Sequence, residues 1–363
     1  MKIEEYGLQK LTEPLLQWFA EHARVLPWRE EPSPYRVWVS EIMLQQTRVE
    51  AVKPYFERFV KSLPDVKALA ECKEEQLLKL WEGLGYYNRV RNMQIAAKQV
   101  MTEYHGEIPD SYEELLNLRG IGHYTAGAVA SIAYGRPVPA VDGNVLRVIS
   151  RAAGDDRDIM SQSVRVNMEQ QLKKIMPTDR AGMYNQALME LGATVCLPNG
   201  EPKCGECPWR NRCIAKREHR ISELPVKKKA KKRRIEERTV FLIRDGEKIV
   251  LKKRPAKGLL AGMYEFPNEL GYMDSREVIS YVKEMNLTPL RVERLSDAKH
   301  IFSHVEWHMA GYLIRVEELE EQKEEILFAE TADFQENYPM PSAFAAYMEY
   351  LNIRLGKERF SEK

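Results

Sequence analysis

The chain has 363 residues, of which 44% are hydrophobic and 30% charged, and its formal net charge is +1. This length accommodates two or three hydrophobic cores, and no apolar stretch in the sequence is long enough to cross a membrane. The first residues, Met1–Glu5, lack the basic-then-apolar order of a secretion signal, so we expect a cytoplasmic protein without a membrane segment.

From Leu8 to His219 the sequence predicts one helix after another, because apolar residues recur at intervals of three and four and proline or glycine separates the segments. The clearest predicted helices are Leu11–Ala23, Val37–Val60, Glu74–Leu80 and Val90–Tyr104. We therefore expect residues 1–220 to form an all-α region.

A Gly-x-Gly turn, Gly120–Gly122, lies between two predicted helices, and the extended stretch Pro137–Val141 follows it and leads to Asp142. The backbone N–H groups of such a hairpin can bind a phosphate of a DNA strand, while the aspartate brings a carboxylate toward the same DNA strand. This arrangement predicts DNA binding beside a reactive site.

Two carboxylates lie in contrasting sequence environments. Glu41 is flanked by apolar residues on a predicted helix, and burial of that kind raises the pKa of a carboxyl group toward that of a general acid. Asp142 precedes the apolar-periodic Val145–Ile149, where the N-terminal N–H groups of a helix favour the ionised form. Such a pair suits cleavage of a glycosidic bond. The alternatives are a surface glutamate and a simple helix cap.

Four of the five cysteines lie within eighteen residues, at Cys196, Cys204, Cys207 and Cys213. A disulfide framework is not expected in an intracellular chain, so the spacing favours a metal site. Both a four-thiolate zinc ion and a [4Fe–4S] cluster fit this spacing. Basic residues crowd the same loop, which favours a structural role over redox chemistry, and we expect the remaining Cys72 to be an ordinary thiol.

The small net charge conceals an uneven distribution, with +1 on residues 1–220, +6 on residues 221–235 and −6 on residues 236–363. Between Lys227 and Arg234 every residue except Ala230 is basic. Such a run is typical of a solvated linker, and it can also contact nucleic-acid phosphates. We therefore expect a basic linker over residues 221–236.

After Glu237 the sequence changes to short β-branched runs, Thr239–Ile243 and Ile249–Leu251, with a predicted turn between them. Two further patches, Arg276–Met285 and Ser342–Asn352, have helical periodicity. The C-terminal region, residues 237–363, is therefore predicted to be α+β.

Several motifs together resemble the adenine DNA glycosylase (MutY) branch of the helix-hairpin-helix DNA glycosylases. They are Leu26–Arg29, Ser40–Thr47, Gly83–Tyr87, the Gly120–Gly122 hairpin, Val141–Asn144, the four clustered cysteines and Phe302–His304. The resemblance implies a multidomain fold. It consists of an all-α helix-hairpin-helix core with a six-helix barrel and a [4Fe–4S] cluster loop, followed by a C-terminal Nudix-like domain that recognises 8-oxoguanine.

The resemblance also implies an enzyme that removes adenine mispaired with 8-oxoguanine or guanine in duplex DNA. A single active site that straddles two domains would suit a monomer, and we expect the protein at the nucleoid. By this resemblance Glu41 protonates adenine and then helps water to attack, and Asp142 stabilises the sugar cation. Tyr124 and Asn144 hold Asp142 in place by hydrogen bonds. Relatives that cut the DNA backbone, such as endonuclease III, carry a lysine where this chain has Tyr124. Because a phenol cannot form a Schiff base, we expect a monofunctional enzyme that leaves an abasic site.

The resemblance assigns the remaining contacts with DNA. The implied adenine pocket consists of Trp28, Arg29, Leu44, Gln186 and Met189. The implied duplex contacts are Gly120, Gly122, Gln46, Thr47, Arg48, Leu84 and Tyr86. Recognition of 8-oxoguanine is implied for Phe302, Ser303 and His304.

Two departures from the family pattern concern the cysteines and the last region. The family spaces its first two cysteines by six residues, whereas seven lie between Cys196 and Cys204, and we expect Asn199 or Gly200 to absorb the extra one. Arg276–Ile279 lacks the Glu-Glu pair that would hold magnesium in a Nudix hydrolase, so nucleotide hydrolysis is not expected.

Two other functions remain open from the sequence. One is a related glycosylase for oxidised pyrimidines, against which the last region and Tyr124 argue, or for mismatched thymine, which is harder to exclude. The other is a non-catalytic iron–sulfur scaffold that binds DNA, against which the presence of both Glu41 and Asp142 argues.

Overall fold

The computed structural model describes residues 8–228, 232–317, 319 and 326–351. Three predictions fall on residues outside these ranges. They are the lack of a signal at Met1–Glu5, the centre of the basic run at 229–231 and the helix end at Asn352. No helix in the described part of the chain is both long and apolar enough to span a bilayer.

The chain folds as two units. The first takes in the described residues within Met1–Glu71 and Asn92–Ala230, and the second those within Cys72–Arg91 and Lys231–Lys363. The second unit is therefore discontinuous in sequence, because a segment from the N-terminal half joins the C-terminal half.

Between Leu8 and Arg217 the regular elements of the chain are helices. Its α-helices are α1 (Thr12–His22), α2 (Pro27–Glu30), α3 (Pro34–Leu44), α4 (Val49–Ser62), α5 (Val66–Glu71), α6 (Glu74–Trp81), α7 (Asn88–Glu103), α8 (Tyr112–Asn117), α9 (His123–Ala128), α10 (Gly143–Ala153), α11 (Gln162–Ile175), α12 (Ala181–Thr194) and α13 (Ile214–Arg217). Of these, α6 and the first turn of α7 belong to the second unit.

The predicted helices Leu11–Ala23, Glu74–Leu80 and Val90–Tyr104 are confirmed as α1, α6 and α7. The prediction of one helix over Val37–Val60 is wrong, because α3 ends at Leu44 and α4 begins at Val49. Gln46 has a φ of 59°, which a right-handed helix does not allow. Apolar residues continue on both sides of this break because both helices bury one face, so periodicity alone could not reveal it.

One core of the first unit holds α1, α10 and α12 together. The buried residues that these helices share include Leu15, Leu16, Val145, Leu146, Ile149, Leu188 and Leu191. Gly192 of α12 allows a close approach to α10, since a Cβ atom at this position would lie 2.5 Å from the Cβ of Asn144. This packing fixes the N-terminal end of α10.

The second unit contains a mixed sheet with helices. Its strands are β1 (Arg234–Asp245), β2 (Lys248–Lys253), β3 (Tyr264–Glu265), β4 (Asn268–Leu270), β5 (Pro289–Arg294), β6 (Ala298–Ile301), β7 (Val305–Val316) and β8 (Leu327–Glu330), and its further α-helices are α14 (Ser275–Glu284), α15 (Thr331–Asn337) and α16 (Ala345–Met348). The strand order is β3-β2-β1-β7-β5, with β4 also paired to β1, β6 to β7 and β8 to β2. Strands β1 and β7 are parallel, from Arg234 beside Val305 to Arg244 beside Arg315.

Hydrophobic clusters cover both faces of this sheet. Along β1, Val240 and Leu242 belong to the cluster that contains Phe334 of α15, whereas Phe241 and Ile243 belong to the cluster on the other face. Successive side chains of a strand point to opposite faces, which explains this division. The predicted strands lie within β1 and β2, and the predicted helix Arg276–Met285 is α14.

The start of β1 is earlier than predicted. Its first residues, Arg234–Glu236, were assigned to the basic linker, but they pair with β7 from Val305 to Trp307. The sequence did not indicate this pairing, because backbone groups form it and the charged side chains of Arg234 and Glu236 are not typical of a strand. The predicted helix over Ser342–Asn352 is shorter, since α16 is flanked by 3₁₀ turns at Ser342–Phe344 and Glu349–Leu351.

Candidate active site and cysteine cavity

Glu41 lies on the buried side of α3, and only 5% of its surface is exposed. The hydroxyl of Tyr124 donates a hydrogen bond to Oε2 of its carboxyl group. Burial raises the pKa of Glu41 to about 7; the Tyr124 hydrogen bond opposes this shift, the charge of Asp142 adds to it and that of Arg29 also opposes it. The predicted burial and raised pKa are therefore confirmed, and a carboxyl group in this state can donate a proton near neutral pH.

Asp142 caps the N-terminus of α10, as the sequence predicted. Its Oδ1 accepts the backbone N–H of Val145 and its Oδ2 accepts the side-chain amide of Asn144, both at 2.7 Å. The expectation of a lowered pKa is wrong, however. Burial raises the pKa of Asp142, and this effect exceeds the opposing effect of the hydrogen bonds. The sequence showed the cap but not the depth at which it lies.

Tyr124 makes a different contact from the one expected. Its hydroxyl bonds to Glu41 and lies 3.3 Å from Sδ of Met189, so the expectation that it holds Asp142 is wrong for this structure. The expected bond from Asn144 to Asp142 is present. Burial and the two nearby carboxyl groups raise the pKa of Tyr124 well above its usual value, so the phenol is a neutral donor.

These groups open into one cleft with a volume of about 720 Å³. The other sequence-predicted residues that line it are Trp28, Arg29, Leu44, Gln46, Thr47, Gly120, Gly122, Gln186 and Met189. The hairpin glycines and the carboxylates thus border the same space. Arg48 is exposed at the start of α4 and is not among the residues that line the cleft.

The four clustered cysteines line a second, smaller cavity in the same unit. Its other walls include the apolar residues Val148, Leu191 and Val195. Backbone N–H groups of Trp209 and of Ala215 and Lys216 bond to the sulfur atoms of Cys207 and Cys213, respectively. In the described part of the chain, no three His, Cys, Asp or Glu side chains are placed to hold one metal ion together. Thiols around an apolar cavity, with N–H groups directed at sulfur, fit an iron–sulfur cluster.

The extra residue between the first two cysteines lies in a closed loop. The backbone N–H of Lys203 bonds to the carbonyl oxygen of Val195 at 3.0 Å, which closes the loop at its base. Gly200 has a φ of 73°, a conformation that glycine adopts without strain. The longer spacing is therefore compatible with all four cysteines lining one cavity.

Helix α10 joins the cleft to the cysteine cavity. Arg147 donates to Oδ1 of Asn144 and to the carbonyl oxygen of Cys196, each at 2.8 Å. One turn further, Arg151 lies 3.4 Å from Sγ of Cys196. Arg147 thus fixes Asn144, which orients Asp142, and also binds the backbone of Cys196.

In the second unit, the structure brings together two residues that the sequence placed far apart. Ser303 lies in the turn between β6 and β7, and its Oγ is 3.4 Å from the hydroxyl of Tyr86. Tyr86 is 48% exposed, whereas Leu84 is only 6% exposed. Phe302 packs edge-on against Trp307, with 4.9 Å between ring centroids. Of these residues, Tyr86 and Ser303 are accessible and Leu84 is a packed residue in this structure.

Residues 39–177 match the family described as HhH-GPD superfamily base excision DNA repair protein, and residues 239–350 match the NUDIX domain family. The adenine DNA glycosylase of Buchnera aphidicola subsp. Acyrthosiphon pisum is 33% identical over 305 residues, which cover 83% of this chain and 85% of that protein. The chain belongs to the adenine DNA glycosylase family. The adenine DNA glycosylase of Mus musculus is 34% identical in an alignment of length 362 that covers 84% of this chain and 70% of that protein.

Solved structures show the same fold for the helical part of this family member. A thermostable thymine-DNA glycosylase aligns with a TM-score of 0.54 and 24% identity, covering 60% of this chain and 99% of that chain. Endonuclease III in a trapped covalent complex with DNA aligns with a TM-score of 0.51 and 24% identity, covering 59% of this chain and 97% of that chain. The predicted resemblance and the predicted combination of a helical glycosylase core with a Nudix-like region are confirmed.

An ion-pair cluster at the wall of the cleft was missed by the sequence analysis of this family member. The Glu190 carboxylate accepts Nε of Arg24 at 2.6 Å and Nη2 of Arg29 at 2.9 Å, and its side chain is 1% exposed. Although burial opposes it, these bonds lower the pKa of Glu190. The available signal was a glutamate within the apolar stretch Ala187–Leu191 of α12.

Proposed function

We propose that the protein hydrolyses the N-glycosidic bond of adenine mispaired with 8-oxoguanine or guanine in duplex DNA and leaves an abasic site for base excision repair. The observation that carries this proposal is the placement of Glu41 and Asp142 in one cleft with the hairpin glycines. One group has a pKa of about 7, and the other is oriented by two hydrogen bonds. Membership of the adenine DNA glycosylase family supports adenine as the base.

The acid step assigns a separate role to each oxygen of Glu41. Because Tyr124 bonds to Oε2, Oε1 is the oxygen that carries the proton to the leaving base. The glycosidic C–N bond breaks, and its electron pair leaves with the protonated base. Water then adds to the sugar carbon, and its proton passes to the Glu41 carboxylate, which restores the acid.

Asp142 stabilises the positive charge that develops on the sugar. Its carboxylate acts as an anion held in a fixed orientation, with Asn144 on one oxygen and the Val145 N–H on the other. Fixed charges in a buried site stabilise a developing cation more strongly than water-exposed ones.

The same site supports base removal without strand cleavage. Strand cleavage through a Schiff base needs an amine beside the opened sugar. Tyr124 stands at the hairpin position where backbone-cutting relatives carry lysine, and the lining of the cleft, as far as the structure describes it, contains arginines but no lysine. We therefore propose a monofunctional glycosylase.

Access to adenine within a duplex requires that the nucleotide turn out of the stack. We propose that the cleft side chains Trp28, Arg29, Leu44, Gln186 and Met189 receive the base. Contacts with the duplex are proposed for Gln46, Thr47, Arg48, Leu84, Tyr86 and the hairpin glycines. Tyr86 and Ser303, which lie side by side, are proposed to read 8-oxoguanine together with Phe302 and His304. All of these contacts come from one chain, in keeping with a monomer acting on chromosomal DNA.

We also propose that Cys196, Cys204, Cys207 and Cys213 hold a [4Fe–4S] cluster. Support comes from their common cavity, from the N–H groups directed at two of the sulfurs and from the family. When bound, the cluster would supply a rigid covalent anchor for the loop 196–213. The predicted division into a catalytic region (residues 1–220), a linker (221–236) and a recognition region (237–363) remains our proposal with two changes. The linker ends before Arg234, where β1 begins, and residues 72–91 belong to the same unit as the recognition region.

The deciding experiment measures alkali-revealed base release from a duplex with one adenine opposite 8-oxoguanine. The parent protein is compared with Glu41→Gln and Asp142→Asn, and binding of the same duplex is measured in parallel. Release by the parent alone, with binding retained in Glu41→Gln, is the expected result. Release of thymine opposite guanine in place of adenine would contradict the substrate, and DNA binding without any release would indicate a scaffold.

A further inference from the structure

A buried ion pair ties residues 72–91 to the rest of the second unit. Lys79 and Glu82 lie 3.0 Å apart at the end of α6, and their side chains are only 12% and 4% exposed. Two buried charges lose their hydration, and such a pair persists only where further hydrogen bonds satisfy it. These partners come from the segment that follows β8.

Lys79 binds the C-terminal end of α15. Its Nζ lies 3.4 Å from the carbonyl oxygen of Phe334 and 3.2 Å from that of Tyr338. The carbonyl groups at the C-terminal end of a helix carry a partial negative charge and attract a cation. Lys79 therefore satisfies both the helix end and the Glu82 carboxylate.

Glu82 binds the residue that follows this helix end. Its Oε1 accepts the backbone N–H of Met340 at 2.9 Å, and Met340 is fully buried in the core beneath the sheet. Lys79 and Glu82 thus attach the C-terminal end of α6 to one rigid part of the β-rich region.

Directly after Glu82 comes the loop Gly83–Tyr86, which carries Tyr86 at its end. The indole N–H of Trp81 bonds to the carbonyl oxygen of Gly85 at 3.0 Å, and Arg89 bonds to the carbonyl oxygens of Leu84 and Gly85 at 3.1 Å. These bonds make the loop a stiff extension of its base. Any shift at Glu82 is therefore transmitted to Tyr86.

We propose that Lys79 and Glu82 are positioning residues that hold Tyr86 beside Ser303 and thereby set the preference for 8-oxoguanine over guanine opposite adenine. This inference rests on the proposed function of the Tyr86–Ser303 pair. The base of the loop is bonded to Met340 and its end contacts Ser303. Both ends of the loop are therefore held by residues of the same β-rich region. Without Lys79 and Glu82, the remaining contacts of residues 72–91 with the β-rich region include the exposed Lys253–Glu75 pair, the bond from Arg91 to the carbonyl oxygen of Ala261 and the Tyr86–Ser303 contact itself.

The test uses the full-length protein with Lys79→Met/Glu82→Gln, which removes both charges and leaves no unpaired buried ion. Single-turnover base release is measured on adenine opposite 8-oxoguanine and opposite guanine. We expect the ratio of the two rates to fall about tenfold, mostly through the 8-oxoguanine substrate, as for loss of one well-ordered polar contact. Lys79→Arg, which keeps the cation, should retain most of the ratio.

The matched control is Lys253→Met/Glu75→Gln. This ion pair joins the same two parts of the chain at 2.9 Å, but its side chains are 51% and 57% exposed. Exposed pairs contribute little, so the control ratio should stay within about twofold of the parent.

A double-mutant cycle identifies the route of the effect. If the buried pair acts through Ser303, Ser303→Ala lowers the ratio in the parent and changes it little in Lys79→Met/Glu82→Gln. The inference would be overturned if the effects of Ser303→Ala and Lys79→Met/Glu82→Gln on the ratio multiplied, or if the ratio stayed unchanged in Lys79→Met/Glu82→Gln. Equal loss of both rates would also overturn it, because that result indicates only general destabilisation. A parent without any preference would instead contradict the proposed recognition of 8-oxoguanine, and with it the inference.

Discussion

At the scale of single residues, the protonation of Glu41 is the property on which the proposed chemistry depends. The apolar neighbours of this glutamate in the sequence were sufficient to predict its burial and its raised pKa. Its bond to Tyr124 was not predictable, because Tyr124 belongs to a helix whose approach to α3 is decided by packing between distant segments. The raised pKa of Asp142 escaped prediction for the same reason, since a cap motif does not reveal its burial.

The pH dependence of base release should shift when the Tyr124 hydroxyl is removed. The acid form of Glu41 is lost as the pH rises through about 7, so the parent rate should fall above that pH. The Tyr124 hydrogen bond lowers the pKa of Glu41, so in Tyr124→Phe the falling limb should move to higher pH. A single-turnover pH–rate profile measures this shift. Tyr112→Phe removes a hydroxyl that bonds to His123 and should leave the limb in place. An unmoved limb in Tyr124→Phe would contradict the assignment.

Glu41 should also make stability depend on pH. Its pKa is near 4.5 when unfolded and about 7 when folded, so its contribution to stability is lost as the pH rises through this window. Relative to Glu41→Gln, the parent should lose on the order of 3 kcal/mol of unfolding free energy between pH 4.5 and 8. Thermal unfolding at pH 5 and pH 8 tests the sign, with the exposed Glu57→Gln of α4 expected to follow the parent. Equal pH dependence of Glu41→Gln and the parent would show that Glu41 is not the group that titrates.

At the scale of elements, the contact between α10 and α12 determines how Asp142 is held. The periodicity of apolar residues predicts most helices, because it records which face is buried. It does not show where two buried helices are separated, as at Gln46. Nor does it show that Gly192 is required where α12 passes Asn144, because a glycine within a helix has several possible causes.

Gly192→Ala should impair catalysis without unfolding the protein. The added Cβ would displace Asn144, which donates to Asp142, and loss of a hydrogen bond to a charged group corresponds to a roughly tenfold to hundredfold lower rate. Single-turnover base release measures the effect, with circular dichroism as the check on folding. Asn144→Ala removes the same bond directly. The double variant should be no slower than the slower single variant, and multiplicative losses would show that Gly192 acts elsewhere.

At the scale of the whole molecule, charge is distributed unevenly along the chain, and the second unit is made of two segments that are far apart in the sequence. The change of composition near residue 237 was sufficient to predict a β-rich second region, and the comparisons agree with it. The membership of residues 72–91 in that region was not predictable. These residues read as ordinary helix, and the carbonyl groups that receive Lys79 belong to a distant part of the sequence.

The basic run should contribute to DNA affinity through salt-dependent phosphate contacts. Lys227→Gln/Lys228→Gln should reduce the slope of log K against log salt concentration for duplex binding by up to about 2, or about 0.9 for each lost contact. Fluorescence anisotropy at several salt concentrations measures the slope. Lys257→Gln/Lys283→Gln changes the net charge equally at exposed positions of the β-rich region and should alter the slope much less. Equal slopes for all proteins would indicate a linker that does not contact DNA.

The discontinuous second unit has a consequence for synthesis of the chain. Residues 72–91 leave the ribosome before the whole of the first unit is complete, and their partners near Met340 are translated almost at the end. At ordinary translation rates this interval is on the order of ten to fifty seconds. During this time Lys79 and Glu82 lack the partners that Phe334, Tyr338 and Met340 supply in the folded protein. The final contacts of α6 and of the loop that follows it can therefore form only when synthesis of the chain is nearly complete.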